Sequence, residues 1–147
     1  MTSTEDRRAA GAFARAMVAH LSSAMLVTML ELGRRTGLLE ALASEPLSAA
    51  ELAARTGCDA RYVGEWLGAV VTGGVVVHDA AADTFHLPPA HAASLVDASP
   101  YNLTGMVTIA TGTAAAADEL EHVLRHGGGI GYDAHPLDVD EVIDRLS

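Results

Sequence analysis

Large apolar residues recur every four positions along the first part of the chain. Five of them share this spacing: Phe13, Met17, Leu21, Met25 and Met29. A period of four places them on one face of an α-helix. Ser3 and Asp6 precede the run at the spacing of a capping box, in which each side chain bonds the backbone N–H of the other. The pattern predicts a long helix over about residues 5–33, which ends near Gly33 or Gly37.

Three shorter helices are predicted next. The segment "GLLEAL" has helical spacing and stops at Pro46. In "LSAAELAARTGC", Ser48 and Glu51 repeat the capping-box spacing, and Gly57 supplies a stop. The third segment, "ARYVGEWLGAVVTGG", follows Asp59, whose side chain can accept hydrogen bonds from the free N–H groups of a helix start. The last two segments form a pair of helices in tandem.

A β-hairpin follows the helix pair. The letters "VVVHD", "AAAD" and "TFHL" are typical of a strand, a polar turn and a returning strand, which Pro88 and Pro89 close. Two helices in tandem followed by a hairpin predict a winged helix-turn-helix. The predicted fold class is mainly α with a small β-hairpin wing, extended by further helices at both ends.

The chain of 147 residues has the length of one domain. We predict a winged-helix core over about residues 36–90, with flanking helices over 5–33 and 101–126. One or two helices account for the second flank, and the consecutive glycines that follow end them. A Gly-rich tail, residues 127–147, completes the single domain 1–147.

Composition and charge exclude several classes of function. Half of the residues are apolar, the net charge is −10, and every basic residue is an arginine, with none between Arg61 and Arg125. Such a surface repels phosphate backbones and argues against nucleic acid as a partner. One cysteine, Cys58, provides no disulfide framework, and the start "MTSTEDRRAA" lacks the apolar centre of a signal peptide. We expect a cytoplasmic protein.

The stretch from Ala98 to Ala117 carries no charge over about the length of a membrane crossing. It is rich in Thr, Ala and Gly, contains Pro100 and Asn102, and has almost no Leu. This composition favours close packing of helices within a soluble protein, so we expect no membrane partner.

The same segments are similar to a known family. In order and spacing, "TGLLEAL", "LSAAELAARTG", "RYVGEWLGAVVTGG" and "FHLPPAHAASL" resemble the N-terminal winged-helix domain of class I S-adenosylmethionine-dependent methyltransferases. The resemblance runs from about Gly11 to Tyr132. It implies a domain that forms an intertwined homodimer and covers the substrate pocket of a catalytic domain.

The cofactor-binding half of that family architecture has no counterpart in the sequence. No glycine-rich turn follows a strand with an acidic residue downstream for a ribose. We therefore expect a module that stands alone, has no S-adenosylmethionine site and performs no methyl transfer of its own.

The segment "LRHGGGIGYDAHP" raises a separate question of chemistry. It lacks the Lys and Ser/Thr of a phosphate-binding loop and follows a helix, so a helix C-cap is the first interpretation. Glu119, His122 and His126 lie on one flank of that helix and are a candidate set of metal ligands, which would bind a divalent ion. His122 and His126 are also candidate catalytic acid–base groups, with His126 the first choice. The third interpretation is that both histidines are structural.

We expect a ligand site where helices 101–126 meet the first helix and the glycines. Small polar contacts and an apolar, adaptable wall would be typical of a small-molecule pocket. The candidate ligand-binding residues are Met17, His20, Met25, Thr108, Thr111, Tyr132 and His135.

Four functions remain open at this stage. The first is a dimeric module that binds a small apolar molecule in a biosynthetic pathway of secondary metabolism. The second is a cofactor-independent cyclase, isomerase or lyase that uses the retained pocket, and the third is an accessory subunit of a separate methyltransferase. The fourth, a DNA-binding regulator, is disfavoured because the second helix of the tandem pair offers Arg61 balanced by Glu65, and the wing carries Asp79 and Asp83. We expect Tyr62, Val63, Trp66, Leu67 and Val70 of that helix to pack into the core.

Overall fold

The computed structural model describes residues 3–96 and 99–129. These residues form seven helices and one antiparallel hairpin, which confirms the predicted mainly helical fold with a small wing. The elements in chain order are α1 Thr4–Thr36, α2 Leu38–Ser44, α3 Ala49–Thr56, α4 Ala60–Thr72, β1 Val77–Asp79, β2 Thr84–His86, α5 Pro89–Leu95, α6 Thr104–Ala115 and α7 Ala117–His126.

The predicted helix starts are confirmed by their hydrogen bonds. The Asp6 N–H donates to Ser3 Oγ at 3.0 Å, and the Ser3 N–H donates to Asp6 Oδ2 at 3.0 Å. Ser48 and Glu51 form the same reciprocal pair at the start of α3. At the start of α4, Asp59 Oδ1 accepts from the N–H groups of Arg61 and Tyr62, at 2.9 and 3.3 Å. Each cap satisfies N–H donors that have no partner within the helix.

The helix α1 continues through Gly33 and ends at Gly37. Gly37 has φ of 74°, a left-handed conformation that a glycine adopts without steric cost, and it caps α1 directly before α2. Gly33 lies inside α1, where its missing side chain lets Trp66 of α4 pack closely against the helix. A Cβ at Gly33 would lie 2.6 Å from Trp66 Cζ2. Of the two predicted break points, Gly37 is therefore the helix end and Gly33 is a packing site.

The wing is a short hairpin extended by one further residue. His78 pairs with Phe85 in the β1–β2 register, and the two rings stack with centroids 4.3 Å apart. On the other side of β2, Leu47 exchanges two backbone hydrogen bonds with Phe85, at 3.0 and 2.8 Å. Asp83 closes the turn with φ of 53°, which Asp tolerates better than most residues. The bridge at Leu47 joins the wing to the α2–α3 connection.

Helix α5 begins directly after the wing. Pro89 is the first residue of α5, and the fixed φ of proline and its missing N–H suit that position. His91 Nδ1 lies 2.7 Å from the backbone carbonyl oxygen of Val75, which is a hydrogen bond between α5 and the segment before the wing. His91 thus has a structural role in the packing of α5.

The hydrophobic core lies in the winged helix. Its most deeply buried side chains are Leu39, Leu42, Leu52, Val63, Leu67 and Val70. Trp66 is 5% exposed and joins them, so the predicted core face of α4 is confirmed for four of its five residues. The exception is Tyr62, which is 69% exposed, because its position falls on the solvent side of α4. Only the C-terminal part of α1 packs on this core, through Leu26, Met29 and Leu30.

One helix within the described ranges, α1, has the length and apolar composition of a membrane-spanning helix. Core helices of soluble proteins and signal sequences share these properties, so they do not by themselves place α1 in a membrane. Within the uncharged stretch considered in the sequence, α6 has 12 residues, well short of the roughly 20 that a crossing needs.

Candidate functional site

The first two-thirds of α1 extends away from the core and exposes large apolar side chains. Between residues 4 and 25 only Gly11 is even partly shielded from solvent. We call the apolar side chains of this part the α1 stripe: Phe13, Met17, Val18, Leu21 and Met25. Phe13 and Leu21 are each 66% exposed, and Met25 is 61% exposed. Monomeric soluble proteins rarely expose so continuous a row of large apolar side chains.

A groove runs between the middle of α1 and the end of α4, with a volume of about 580 Å³. Its walls are mostly apolar, and three of its lining residues carry hydroxyl groups. The lining residues are Val18, Leu21, Ser22, Ser23, Met25, Leu26, Met29, Ala69, Thr72 and Gly73. A Cβ at Gly73 would lie 2.6 Å from Leu26 Cδ1, so the glycine lets α4 approach α1 closely at one end of the groove. The groove is continuous with the α1 stripe, because Val18, Leu21 and Met25 belong to both.

A buried carboxylate joins α1 to α6. Glu31 is 4% exposed and accepts two hydrogen bonds from Arg34, from Nε to Oε2 at 3.0 Å and from Nη2 to Oε1 at 2.9 Å. Arg35 Nε donates to Oε1 at 2.7 Å. The hydroxyl of Thr108 on α6 donates to Oε2 at 3.4 Å. Every oxygen of the buried carboxylate is therefore paired, as a buried charge requires.

The hydrogen bonds from Arg34 hold the pKa of the Glu31 carboxyl below its usual 4.5. Burial acts in the opposite direction, and Arg35 adds a further lowering through its own hydrogen bond and its charge. Glu31 is thus a charged group in the contact between α1 and α6. Sequence reasoning did not select it, although a glutamate in an apolar run with arginines three and four positions later was a usable signal.

The structure separates the residues predicted to bind a ligand. Met25 lines the groove, whereas Met17 and His20 are exposed on α1 further toward the N-terminus. Thr108 bonds Glu31, and the Thr111 hydroxyl donates to backbone carbonyls of α6. The two remaining candidates, Tyr132 and His135, lie outside the described residues. The α1–α4 groove is therefore not at the predicted meeting of α1 with α6. Its second wall is formed by Ala69, Thr72 and Gly73 at the end of α4.

The histidine pair lies on an exposed helix end. The rings of His122 and His126 have centroids 4.8 Å apart and are tilted by 48°. Both residues are exposed, and no residue of α7 is buried. Within the part of the chain that the structure describes, no three His, Cys, Asp or Glu side chains are grouped so that they could hold a metal ion, so Glu119 does not complete a set with the pair. The acid–base role of the histidines stays a prediction.

The glycines after α7 form the end of the helix. The Gly127 N–H donates to the carbonyl oxygen of Val123 at 2.8 Å, and Gly127, Gly128 and Gly129 all have positive φ. Such conformations are accessible to glycine and strained for other residues. The helix-cap interpretation of this segment is confirmed for residues 127–129.

Comparison with known proteins identifies the architecture. Residues 24–97 match the family model of the Rv2258c-like winged HTH domain. No curated protein sequence matches the chain. Among solved structures, the chain is similar to the mitomycin 7-O-methyltransferase MmcR, with 22% identity and a TM-score of 0.70 over 95% of this chain and 44% of that chain.

Two further methyltransferase structures have the same fold over this region. The dimethyltransferase RosA from Streptomyces davawensis is 20% identical, with a TM-score of 0.62 over 90% of this chain and 42% of that chain. Human N-acetylserotonin methyltransferase is 18% identical, with a TM-score of 0.66 over 99% of this chain and 42% of that chain. The chain therefore spans less than half the length of the structures that it resembles.

Proposed function

The chain belongs to the Rv2258c-like winged HTH domain family, and from this we propose that it is a dimerising module that binds a small apolar molecule in a biosynthetic pathway. It is a winged-helix domain related to the N-terminal domains of methyltransferases. In this proposal its 147 residues supply assembly and binding and do not themselves transfer a methyl group.

The α1 stripe is the observation that carries the proposed dimer. In proteins most helical stability comes from packing an apolar face against other elements. Burial of one large apolar side chain contributes about 1.5–3 kcal/mol. Phe13, Leu21 and Met25 therefore lose substantial stabilisation if nothing covers them. A second copy of the chain presents the same stripe, and a two-fold axis pairs identical surfaces.

The dimer is tested by light scattering coupled to size exclusion at micromolar concentration. We expect a dimer for the native sequence and a monomer for Leu21→Glu, because the new carboxylate would be buried against the partner helix. Leu124→Glu is the matched control, since Leu124 is 87% exposed on α7 and outside the stripe. A native chain that is monomeric under these conditions contradicts the proposal.

The α1–α4 groove carries the proposed binding of a small molecule. Its volume of about 580 Å³ is within the range of small-molecule sites, and apolar walls with a few polar groups are the usual composition of such sites. Ser22, Ser23 and Thr72 supply hydroxyl groups that can orient a ligand with one polar end.

The amphipathic dye 1-anilinonaphthalene-8-sulfonate, whose aromatic rings bind apolar surfaces, serves as the probe of the groove. Its fluorescence increases when it binds apolar surface, and we expect Thr72→Trp to reduce this increase because the indole fills the groove. Thr113→Trp places the same side chain on an exposed position of α6 and is the control. Equal dye fluorescence for native protein and Thr72→Trp would show that the groove is not the binding site.

A further inference from the structure

The two exposed histidines at the end of α7 have nitrogen atoms available for ligation. Apart from the contact between their own rings, neither His122 nor His126 has a hydrogen bond or ion pair within the described residues. Arg125, which lies between them in sequence, is engaged on the adjacent flank, where its Nε donates to Glu121 Oε1 at 2.8 Å. The basic side chain nearest to the histidines is thus paired with a carboxylate.

The spacing of the two rings suits a shared metal ion. Residues four apart on a helix are neighbours, with Cβ atoms about 5–6 Å apart. Imidazole nitrogens bind Zn²⁺ at about 2.0–2.1 Å, so two nitrogens on one ion are roughly 3 Å from each other. Ring centroids 4.8 Å apart allow this separation after small rotations of the side chains.

The electrostatic surroundings of the pair also favour a cation. Helix α7 carries three carboxylates, from Asp118, Glu119 and Glu121, against the single guanidinium of Arg125. His126 is the last residue of the helix, where the carbonyl groups give the helix its negative end. A bound cation there interacts favourably with both the carboxylates and the helix dipole.

From this geometry we propose that His122 and His126 form a two-histidine chelate for a divalent transition-metal ion on the surface of α7. Imidazole ligands select Zn²⁺, Ni²⁺ and Cu²⁺, with Cu²⁺ bound most tightly, whereas Mg²⁺ and Ca²⁺ prefer oxygen ligands. The remaining coordination positions are open to water. The site needs neither the dimer nor the α1–α4 groove, so it is independent of the proposed function.

Calorimetric titration of the untagged protein with NiCl₂ tests the proposal, because a purification tag would add histidines. We expect micromolar binding of one ion per chain. Either His122→Ala or His126→Ala weakens it by more than about tenfold, since even changes behind a metal ligand cost ten- to hundredfold. His20→Ala removes an exposed histidine of α1 and should leave the affinity unchanged. Titration with CaCl₂ should give no binding.

A relocated pair provides the sharper control. The double variant His122→Ala/Leu124→His keeps the number of exposed histidines but places them two positions apart, on opposite sides of α7. Leu124 is exposed, so the variant should fold, which circular dichroism checks. We expect it to bind Ni²⁺ as weakly as His122→Ala. Native affinity in this variant or in either single variant, or no Ni²⁺ binding by the native protein, would overturn the proposal.

Discussion

The indole N–H of Trp66 on α4 donates a hydrogen bond to the backbone carbonyl oxygen of Met29 on α1, with nitrogen and oxygen 2.8 Å apart. The bond satisfies a polar group that is otherwise buried in the core. It also brings the indole ring over Gly33, one helical turn further along α1, so that any Cβ at that position would lie 2.6 Å from Trp66 Cζ2. Trp66 and Gly33 therefore define how α4 packs against α1.

The first prediction is that Gly33→Ala destabilises the protein, although alanine is the better helix former. Alanine inside a helix gains about 1 kcal/mol over glycine. Overpacking of a core costs typically about 1–3 kcal/mol. The clash here involves a rigid, buried ring and also Leu39 Cγ at 3.0 Å, which places the cost in the upper part of that range, at about 2–3 kcal/mol. After the gain in helix propensity, we expect a net loss in the free energy of unfolding of about 1–2 kcal/mol. Urea unfolding followed by Trp66 fluorescence measures it.

Gly64→Ala on α4 is the matched control for this prediction. A Cβ at Gly64 meets no atom within 4 Å, so the helix-propensity gain of up to about 1 kcal/mol should appear without a clash. If Gly33→Ala stabilises the protein as Gly64→Ala does, the close contact between Trp66 of α4 and Gly33 of α1 is contradicted.

The second prediction concerns the pH dependence that Glu31 gives to stability. Its pKa is lowered in the folded protein, first by the hydrogen bonds from Arg34. The stabilisation is therefore present above the unfolded pKa, near 4.5, and is lost as the pH falls through the lower folded pKa. Glu31→Gln should lower the free energy of unfolding at pH 7 by about 1–3 kcal/mol and reduce its change across the acid range.

Denaturant unfolding of both proteins between pH 7 and acid pH checks this expectation. Glu121→Gln, which removes an exposed ion pair with Arg125, is the control and should change the free energy of unfolding by about 0.5 kcal/mol or less. If the free energy of unfolding changes with pH in the same way for native protein and Glu31→Gln, then Glu31 does not contribute to the pH dependence of stability.

The third prediction is that the winged helix binds double-stranded DNA weakly or not at all. The exposed side of α4 presents Arg61 beside Glu65, and the wing exposes Asp79 and Asp83. Few phosphates can be neutralised, so the gain from counterion release is small. Fluorescence anisotropy with labelled duplex at physiological salt should show no nanomolar binding, and a sequence-specific complex of that affinity would refute the prediction.

The fourth prediction is that the chain alone does not bind S-adenosylmethionine. The resemblance implies that the cofactor is bound on the α/β sheet of a second domain, and the glycine segment 127–129 caps α7 and follows no strand. Calorimetric titration with the cofactor should give only heats of dilution. Micromolar binding that saturates at one cofactor per chain would reverse this expectation.

The features that could be predicted from the sequence are those decided by residues close together in the chain. Ser48 and Glu51 form their capping box within three positions, and Gly57 stops the same helix six residues after Glu51. The two strands of the hairpin are connected by a turn of only four residues, so their register is also decided locally. Such interactions are local, so the pattern of letters is sufficient to identify them.

What only the tertiary structure decided depends on contacts between distant residues. Thr108 is hydrogen-bonded to Glu31, 77 positions away, and Trp66 to Met29, 37 positions away. No local sequence pattern predicts either contact. The α1–α4 groove exists because Gly73 lets two helices approach, and the placement of Tyr62 on the solvent side follows from the same packing. Periodicity establishes that a helix has an apolar face, whereas the angle between packed helices decides which part of that face is buried and which part is left for a partner.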